Sequence, residues 1–77
     1  MPPRTTLASR KSRLVGARLR EARLEANLTQ EDLSDRSGIS AVHIRKIERG
    51  EGNPTLGVLV ALANGVRSTV AALVDGL

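Results

Sequence analysis

The stretch from Thr29 to Gly50 constrains the fold of this chain more than any other segment. It predicts two short helices joined by a tight turn. Thr29 is placed to cap the first helix, with Asp32 three residues later as its capping-box partner. Gly38 supplies the turn, because a residue just past a helix end usually needs a positive φ. Ser40 then caps a second helix, which ends at Gly50.

The second helix of this pair has one apolar edge and an outward face of small and basic side chains. Ile44 and Ile47, three residues apart, form the edge that we expect to be buried. The outward positions are held by Ala41, Val42, His43, Arg45, Lys46 and Arg49. The major groove of DNA admits a helix with such a face, since its base edges offer acceptors and methyl groups. The pattern therefore indicates contact with double-stranded DNA.

The length and composition of the chain indicate one small domain that cannot use cysteine chemistry. It has 77 residues, no Cys and one His, which excludes disulfides, thiolate metal sites and a metal site built from His alone. A core of this size is marginal, so help from a second subunit is plausible on physical grounds. No apolar run approaches the roughly 18 residues of a membrane span, and no signal-peptide core is present. We expect a cytoplasmic protein with no cofactor and no membrane partner.

The positive charge of the chain is concentrated at its N-terminus. The net charge is +4, and residues 1–20 contain basic but no acidic side chains. Such a segment favours binding to an anionic partner, with nucleic acid ranked ahead of a membrane surface. The alternative explanation for the positive charge is solubility alone. Phe, Tyr and Trp are absent, which argues against proteins that stack single-stranded bases on aromatic rings. Duplex DNA is therefore the favoured partner.

Residues 1–9 are expected to form a flexible basic arm, because they show no apolar period. The folded domain is then expected over residues 10–77. Ser9 or Ser12 is placed to cap the first helix, which we predict to run to about Asn27. The apolar face of this helix, with spacings of four, three and four, is formed by Val15, Leu19, Ala22 and Ala26.

Four shorter helices are predicted after the first. The expected ranges are about 30–37, 41–49 and 56–64, followed by a short helix through Val70, Leu73 and Val74. Leu33 is the expected core contact of the second helix. The fourth helix is apolar on nearly every side, which is typical of a central or interface position. No strand pattern emerges, so the chain is predicted to be all-α.

The segment from Val15 to about Val74 resembles the Cro/C1-type (XRE-like) helix-turn-helix family of transcriptional regulators. The resemblance is carried by Arg18-Leu19-Arg20, Leu28-Thr29-Gln30-Glu31-Asp32-Leu33, Ser37-Gly38-Ile39-Ser40, Ile44, Ile47-Glu48-Arg49-Gly50 and Asn53-Pro54-Thr55-Leu56. These motifs are specific in combination, whereas Leu-Thr-Gln-Glu alone would be a weak signal. The resemblance implies a five-helix lambda-repressor-like domain that binds DNA as a two-fold homodimer, with the third helix as its recognition helix.

Several residues are expected at DNA phosphates. Gln30 starts the second helix, where free backbone N–H groups and the helix dipole favour an anion; the alternative is an ordinary exposed first-turn residue. Ser40 is a cap and a second phosphate donor. Asn53 follows the recognition helix in a loop from which members of the family often reach a phosphate. For His43, contact with phosphate or sugar and packing against the first helix both stay open, and a pH sensor is a third interpretation.

The family reads bases from positions that correspond here to Ala41, Val42, Arg45 and Lys46. Arg and Lys bind guanine O6 and N7, and Ala or Val meets a thymine methyl group. The alternative for Arg45 and Lys46 is a solvated basic face that touches only phosphates. Arg49 lies one helical turn after Arg45 and is also expected to bind DNA.

Two features of the resemblance concern the framework of the domain. Arg23 and Glu48 match positions that pair in the family and join the first helix to the recognition helix; the alternative is two independent surface charges. Many relatives place a Gly in the left-handed position after the fourth helix, whereas here Gly65 comes two residues earlier. Either this helix ends sooner, or Arg67 adopts a backbone conformation that is costly for a residue with a side chain.

The apolar residues of the last two helices are expected to form a dimer interface, because a small monomer has little other surface to cover them. The expected interface residues are Val66, Val70, Leu73, Val74 and Leu77.

The predicted function is a sequence-specific DNA-binding transcriptional regulator that binds a pseudo-palindromic operator as a homodimer and then blocks or recruits RNA polymerase. We expect no enzyme activity, since the sequence contains no catalytic constellation. Its size, and a loose similarity after the fourth helix, favour a restriction–modification controller. The alternatives are an antitoxin that also regulates its own promoter, although no toxin-binding segment is expected after Leu77, and a protein-bridging coactivator.

Overall fold

The computed structural model of the protein describes the backbone of residues 7–77 and the side chains from Ser9 onward. Over this range the chain forms helices and no strands. The helices are α1 (Leu7–Glu25), α2 (Gln30–Ser37), α3 (Ala41–Glu48), α4 (Leu56–Gly65) and α5 (Val70–Leu73). The predicted all-α fold with five helices is confirmed. Most of the predicted N-terminal arm, including Arg4, lies outside the described residues.

The first helix begins earlier than the sequence predicted. α1 already includes Leu7, so the last residues of the predicted arm are helical. Ser9 and Ser12, the expected caps, lie inside this helix, and the prediction of a cap there was wrong. The physical reason is that Leu, Ala, Arg and Lys flank both serines, and these residues all favour helix. After the helix ends, Asn27 has a φ of 58°, a left-handed conformation that Asn tolerates better than most residues.

The turn between α2 and α3 forms as the sequence predicted. Thr29 Oγ1 accepts a hydrogen bond from the Asp32 N–H at 3.0 Å, and Asp32 Oδ2 accepts one from the Thr29 N–H at 2.9 Å. The bond from the Thr29 backbone lowers the pKa of the Asp32 carboxyl, because it favours the charged form. Gly38 takes a φ of 75°, and Ser40 Oγ caps α3 through the His43 N–H at 3.1 Å. Local chemistry therefore fixes how α3 leaves α2.

The core is an aliphatic cluster to which every helix contributes. The largest fully buried side chains are Leu19 of α1, Leu33 of α2, Ile44 of α3, Leu62 of α4 and Leu73 of α5. Burying one such side chain stabilises a fold by about 1.5–3 kcal/mol. Each short helix is therefore anchored mainly by the cluster rather than by its own propensity.

Two residues that the sequence placed at a dimer interface belong to this core instead. Val66 is 5% exposed and Leu73 is 1% exposed, so neither offers surface to a partner. The prediction was wrong for these two residues because α5 packs against α1 and α4 within one chain. Of the other expected interface residues, Leu77 is exposed, and Val70 and Val74 are half-buried.

The backbone after α4 follows one of the two predicted alternatives. Arg67 adopts the left-handed conformation, with a φ of 56°. Gly65 is the last residue of α4, and a Cβ added there would lie 2.6 Å from Leu33 Cδ1. The absence of a side chain at Gly65 therefore allows α4 to pack closely on α2, and Arg67 takes the left-handed conformation that follows the helix.

Candidate nucleic-acid interface

The third helix presents the outward face that the sequence predicted. Ile44 and Ile47 are 0% and 2% exposed, and they hold α3 against the core. On the opposite side, the exposed side chains are those of Val42, His43, Arg45, Lys46 and Arg49, and Ala41 is half-buried. The face thus offers cationic donors and aliphatic groups together on one rigid element.

The predicted pairing of Arg23 with Glu48 is present and buried. Arg23 Nε donates to Glu48 Oε2 at 2.7 Å, and Nη2 donates to Oε1 at 2.8 Å. The two side chains are 9% and 4% exposed. The hydrogen bond to Glu48 raises the pKa of Arg23, so the guanidinium stays charged. The alternative of two independent surface charges is wrong.

Arg23 also ties α1 to the loop before α2. Its Nη1 donates to the Leu28 carbonyl oxygen at 2.9 Å in a buried hydrogen bond. One guanidinium therefore connects α1, this loop and the end of α3, which is a geometry that the planar donor fork of Arg makes possible. The third helix, α3, is therefore held at its C-terminal end as well as by its buried isoleucines.

Gln30 joins the same network. As the first residue of α2, it donates from Nε2 to Glu48 Oε1 at 3.2 Å. A carboxylate only accepts hydrogen bonds, so the amide nitrogen of Gln30 faces Glu48 and retains one further N–H. The side chain that the sequence assigned to a phosphate is therefore held in place by the framework of the domain.

An open cleft of about 350 Å³ lies beside this network, between α1, α2 and α3. It is lined by Arg20, Gln30, Arg45, Glu48 and Arg49. The charge of Glu48 is matched by the buried Arg23, so the arginines determine the sign of the cleft. Such a cleft is suited to an anionic group.

Two of the cleft arginines lie close to an acidic side chain. Arg45 Nη1 lies 3.6 Å from Glu31 Oε1, and Arg49 Nη2 donates to Glu51 Oε2 at 3.0 Å. All four side chains are at least 44% exposed, and exposed ion pairs of this kind are worth about 1 kcal/mol or less. They are therefore loose enough to be exchanged for contacts with another partner.

In the structure, Arg20 lines the same cleft as three of the residues predicted to bind DNA, whereas Asn53 does not. The sequence did contain a signal for Arg20, because it lies three residues before Arg23 and so shares its side of α1. Asn53 lines a different cleft, together with Lys11, Pro54 and Val74 among others. Gln30, Arg45 and Arg49 are thus brought together, and Asn53 is not brought to the same place.

No helix in the described part of the chain is both long enough and apolar enough to cross a membrane. Within the same residues, no group of three His, Asp or Glu side chains is arranged to hold a metal ion.

The helix-turn-helix family model HTH_3 matches residues 19–73, which include all of α2, α3 and α4. The chain belongs to this helix-turn-helix family. The family is one of DNA-binding transcriptional regulators, in agreement with the resemblance found in the sequence. The match begins within α1 and ends with α5, so the family covers the whole set of packed helices.

Relatives and solved structures of this family are similar to the chain over most of its length. It is 41% identical over 54 residues to the HTH-type transcriptional regulator y4dJ of Sinorhizobium fredii, covering 70% of both chains. It is 35% identical over 60 residues to control protein C.SmaI of Serratia marcescens, covering 78% of this chain and 71% of that protein. The crystal structure of the restriction-modification controller protein C.AhdI from Aeromonas hydrophila superimposes with a TM-score of 0.77 and 32% identity, over 80% of this chain and 94% of that one.

Proposed function

We propose that two copies of this chain bind a pseudo-palindromic site in double-stranded DNA and regulate transcription from it. The observation that carries the proposal is the exposed face of α3, on which Arg45 and Lys46 lie beside Val42. Arg pairs with guanine through two hydrogen bonds, Lys donates to the same acceptors, and Val contacts the thymine methyl group. Together these side chains can distinguish base pairs in a major groove.

Other residues position this face by binding phosphates, which supply affinity but no sequence information. Gln30 is held at the start of α2 with one N–H to spare, where the helix dipole favours negative charge. Ser40 and His43 lie at the start of α3, and Arg49 at its end, so contacts at these residues would fix the depth of the helix in the groove. Asn53 adds a neutral donor from the following loop.

Among regulatory roles, that of a restriction–modification controller is supported best. C.AhdI is a protein of this kind, and the chain covers 94% of its structure at 32% identity. In this role the DNA-bound dimer regulates by blocking or recruiting RNA polymerase. Neighbouring genes for a methyltransferase and an endonuclease would support the controller, whereas a neighbouring toxin gene would favour the antitoxin alternative.

Replacing Arg45 or Lys46 by Ala is expected to reduce specificity as well as affinity. A base contact discriminates by about 1–3 kcal/mol, so the preference for a selected operator over random duplex should fall by about fivefold or more for at least one of the two variants. The dissociation constants for both DNAs are measured by fluorescence anisotropy at fixed salt. Arg36→Ala is the control, because it removes an exposed cation of α2 that is not part of the outward face of α3. If both variants weaken operator and random DNA equally, these residues touch only the DNA backbone.

The dimer is proposed to form through the exposed apolar face of α4. Leu56 and Val60, one helical turn apart, are 68% and 43% exposed. Leu77 is exposed and lines a neighbouring cleft with Leu59 and the half-buried Val74. The half-buried Val70 of α5 adds to the same proposal. A two-fold axis at this surface would set two copies of α3 about 34 Å apart, one turn of duplex.

Val60→Glu is expected to give a folded monomer that binds the operator about 100-fold more weakly, because the second half-site no longer adds avidity. Sedimentation at micromolar concentration measures the assembly state, and circular dichroism checks that the helices remain. Leu24→Glu places the same charge at an exposed apolar residue of α1 and should leave the dimer intact. A Val60→Glu protein that sediments as a dimer, or a Leu24→Glu protein that does not, would contradict the proposed interface.

A further inference from the structure

We propose that Arg20 of α1 binds a DNA backbone phosphate in the cleft between α1, α2 and α3. This inference rests on the proposed function and adds a third helix to the DNA interface. The ligand is a phosphodiester group of the duplex, which an exposed guanidinium recognises by charge and by two parallel hydrogen bonds.

The position of Arg20 on α1 follows from its neighbours. Gly16 and Arg23 lie four residues before and three residues after Arg20, and both face the end of α3. A Cβ added at Gly16 would meet the backbone oxygens of Ile47 and Glu48, and Arg23 binds the Glu48 side chain. Residues at these spacings share one side of a helix. The Arg20 side chain therefore emerges beside the C-terminal end of the recognition helix.

The balance of charge in the cleft singles out Arg20. Arg45 lies near Glu31, and Arg49 is hydrogen bonded to Glu51. Within the described residues, Arg20 forms no ion pair and no side-chain hydrogen bond. Among the three cleft arginines it is the one whose charge has no acidic partner in the described part of the chain, and an anion that enters the cleft gains most from it.

Gln30 supplies the second donor for the same phosphate. It lines the cleft with Arg20, and its amide is held by Glu48 at 3.2 Å with one N–H left. A cation on α1 and a neutral amide at the start of α2 can thus hold one phosphate between two helices.

Salt titration of duplex binding tests this proposal. Each phosphate neutralised by Arg contributes about −0.9 to the slope of log K against log salt. Arg20→Ala is therefore expected to reduce the slope by about 1.8 for a dimer, and its loss of affinity should be the same on operator and random duplex. Arg20→Lys keeps the charge and should keep the slope, whereas Arg36→Ala should change neither slope nor affinity measurably.

A double-mutant cycle with Gln30→Ala asks whether the two residues share one phosphate. If they do, the double variant Arg20→Ala, Gln30→Ala loses less affinity than the product of the two single losses. The proposal is overturned if Arg20→Ala has the same salt slope as Arg36→Ala, or if it loses affinity for the operator but not for random duplex. Strictly multiplicative losses of affinity in the double variant would overturn the sharing of one phosphate. Failure of the wild-type protein to bind duplex at all would instead overturn the proposed function, and the site with it.

Discussion

Arg23→Ala is expected to destabilise the protein by about 3–5 kcal/mol, the usual effect of removing one partner of a buried ion pair. The variant leaves Glu48, whose side chain is 4% exposed, without the guanidinium that compensates its charge. It also leaves the Leu28 carbonyl without its side-chain donor. Equilibrium unfolding in urea measures the change in the free energy of unfolding.

Two further variants separate this effect from a general effect of charge. Arg36→Ala removes a cation from the exposed surface and should change stability by no more than about 0.5 kcal/mol. Replacing Arg23 and Glu48 together by Met removes both buried charges and should recover part of the loss. Equal melting temperatures for Arg23→Ala and Arg36→Ala would show that the pair contributes little to the fold.

Gly16→Ala is expected to cost about 3 kcal/mol, at the upper end of overpacking effects. The added Cβ would overlap the backbone oxygen of Ile47 and lie 3.0 Å from that of Glu48. Both atoms belong to the backbone of α3 and cannot rotate away as a side chain would. α1 and α3 would therefore have to separate. This displaces α3, the proposed DNA-reading helix, and should also weaken DNA binding.

Gly57→Ala is the matched control, because it makes the same change in another helix. Its nearest neighbour is Thr55 Oγ1, at 3.9 Å from the added Cβ. In that open position Ala should be neutral or stabilise by up to about 1 kcal/mol, since Ala favours helix more than Gly does. Denaturant unfolding of both variants gives the comparison, and a Gly16→Ala protein as stable as the wild type would contradict the close approach of α1 and α3.

The turn between α2 and α3 could be predicted from the sequence because its determinants are local. Thr29, Asp32, Gly38 and Ser40 each act within four residues of their partners. The contact between Arg23 and Glu48 spans 25 residues, and no periodicity indicates it. Only the resemblance to a known family predicted that pair.

The errors came where burial depends on how helices meet. Val66 and Leu73 are apolar whether a neighbouring helix or a second subunit covers them, so the sequence could not assign them to the core. Gly16 was overlooked because the helical pattern of α1 does not reveal that the backbone of α3 passes close to it. The spacing of Arg20 from Arg23 did place it on the same side of α1, but the cleft that Arg20 lines exists only because three helices meet there.

Selection of bound sequences from a pool of random duplexes, followed by footprinting, tests sequence-specific binding by a two-fold dimer most directly. The expected result is an enriched motif of two inverted half-sites with centres about 10 base pairs apart. The footprint should cover both half-sites, with two protein chains per duplex. A pool without enrichment, or a motif that lacks a second half-site and binds one chain, would contradict binding of an operator by a dimer.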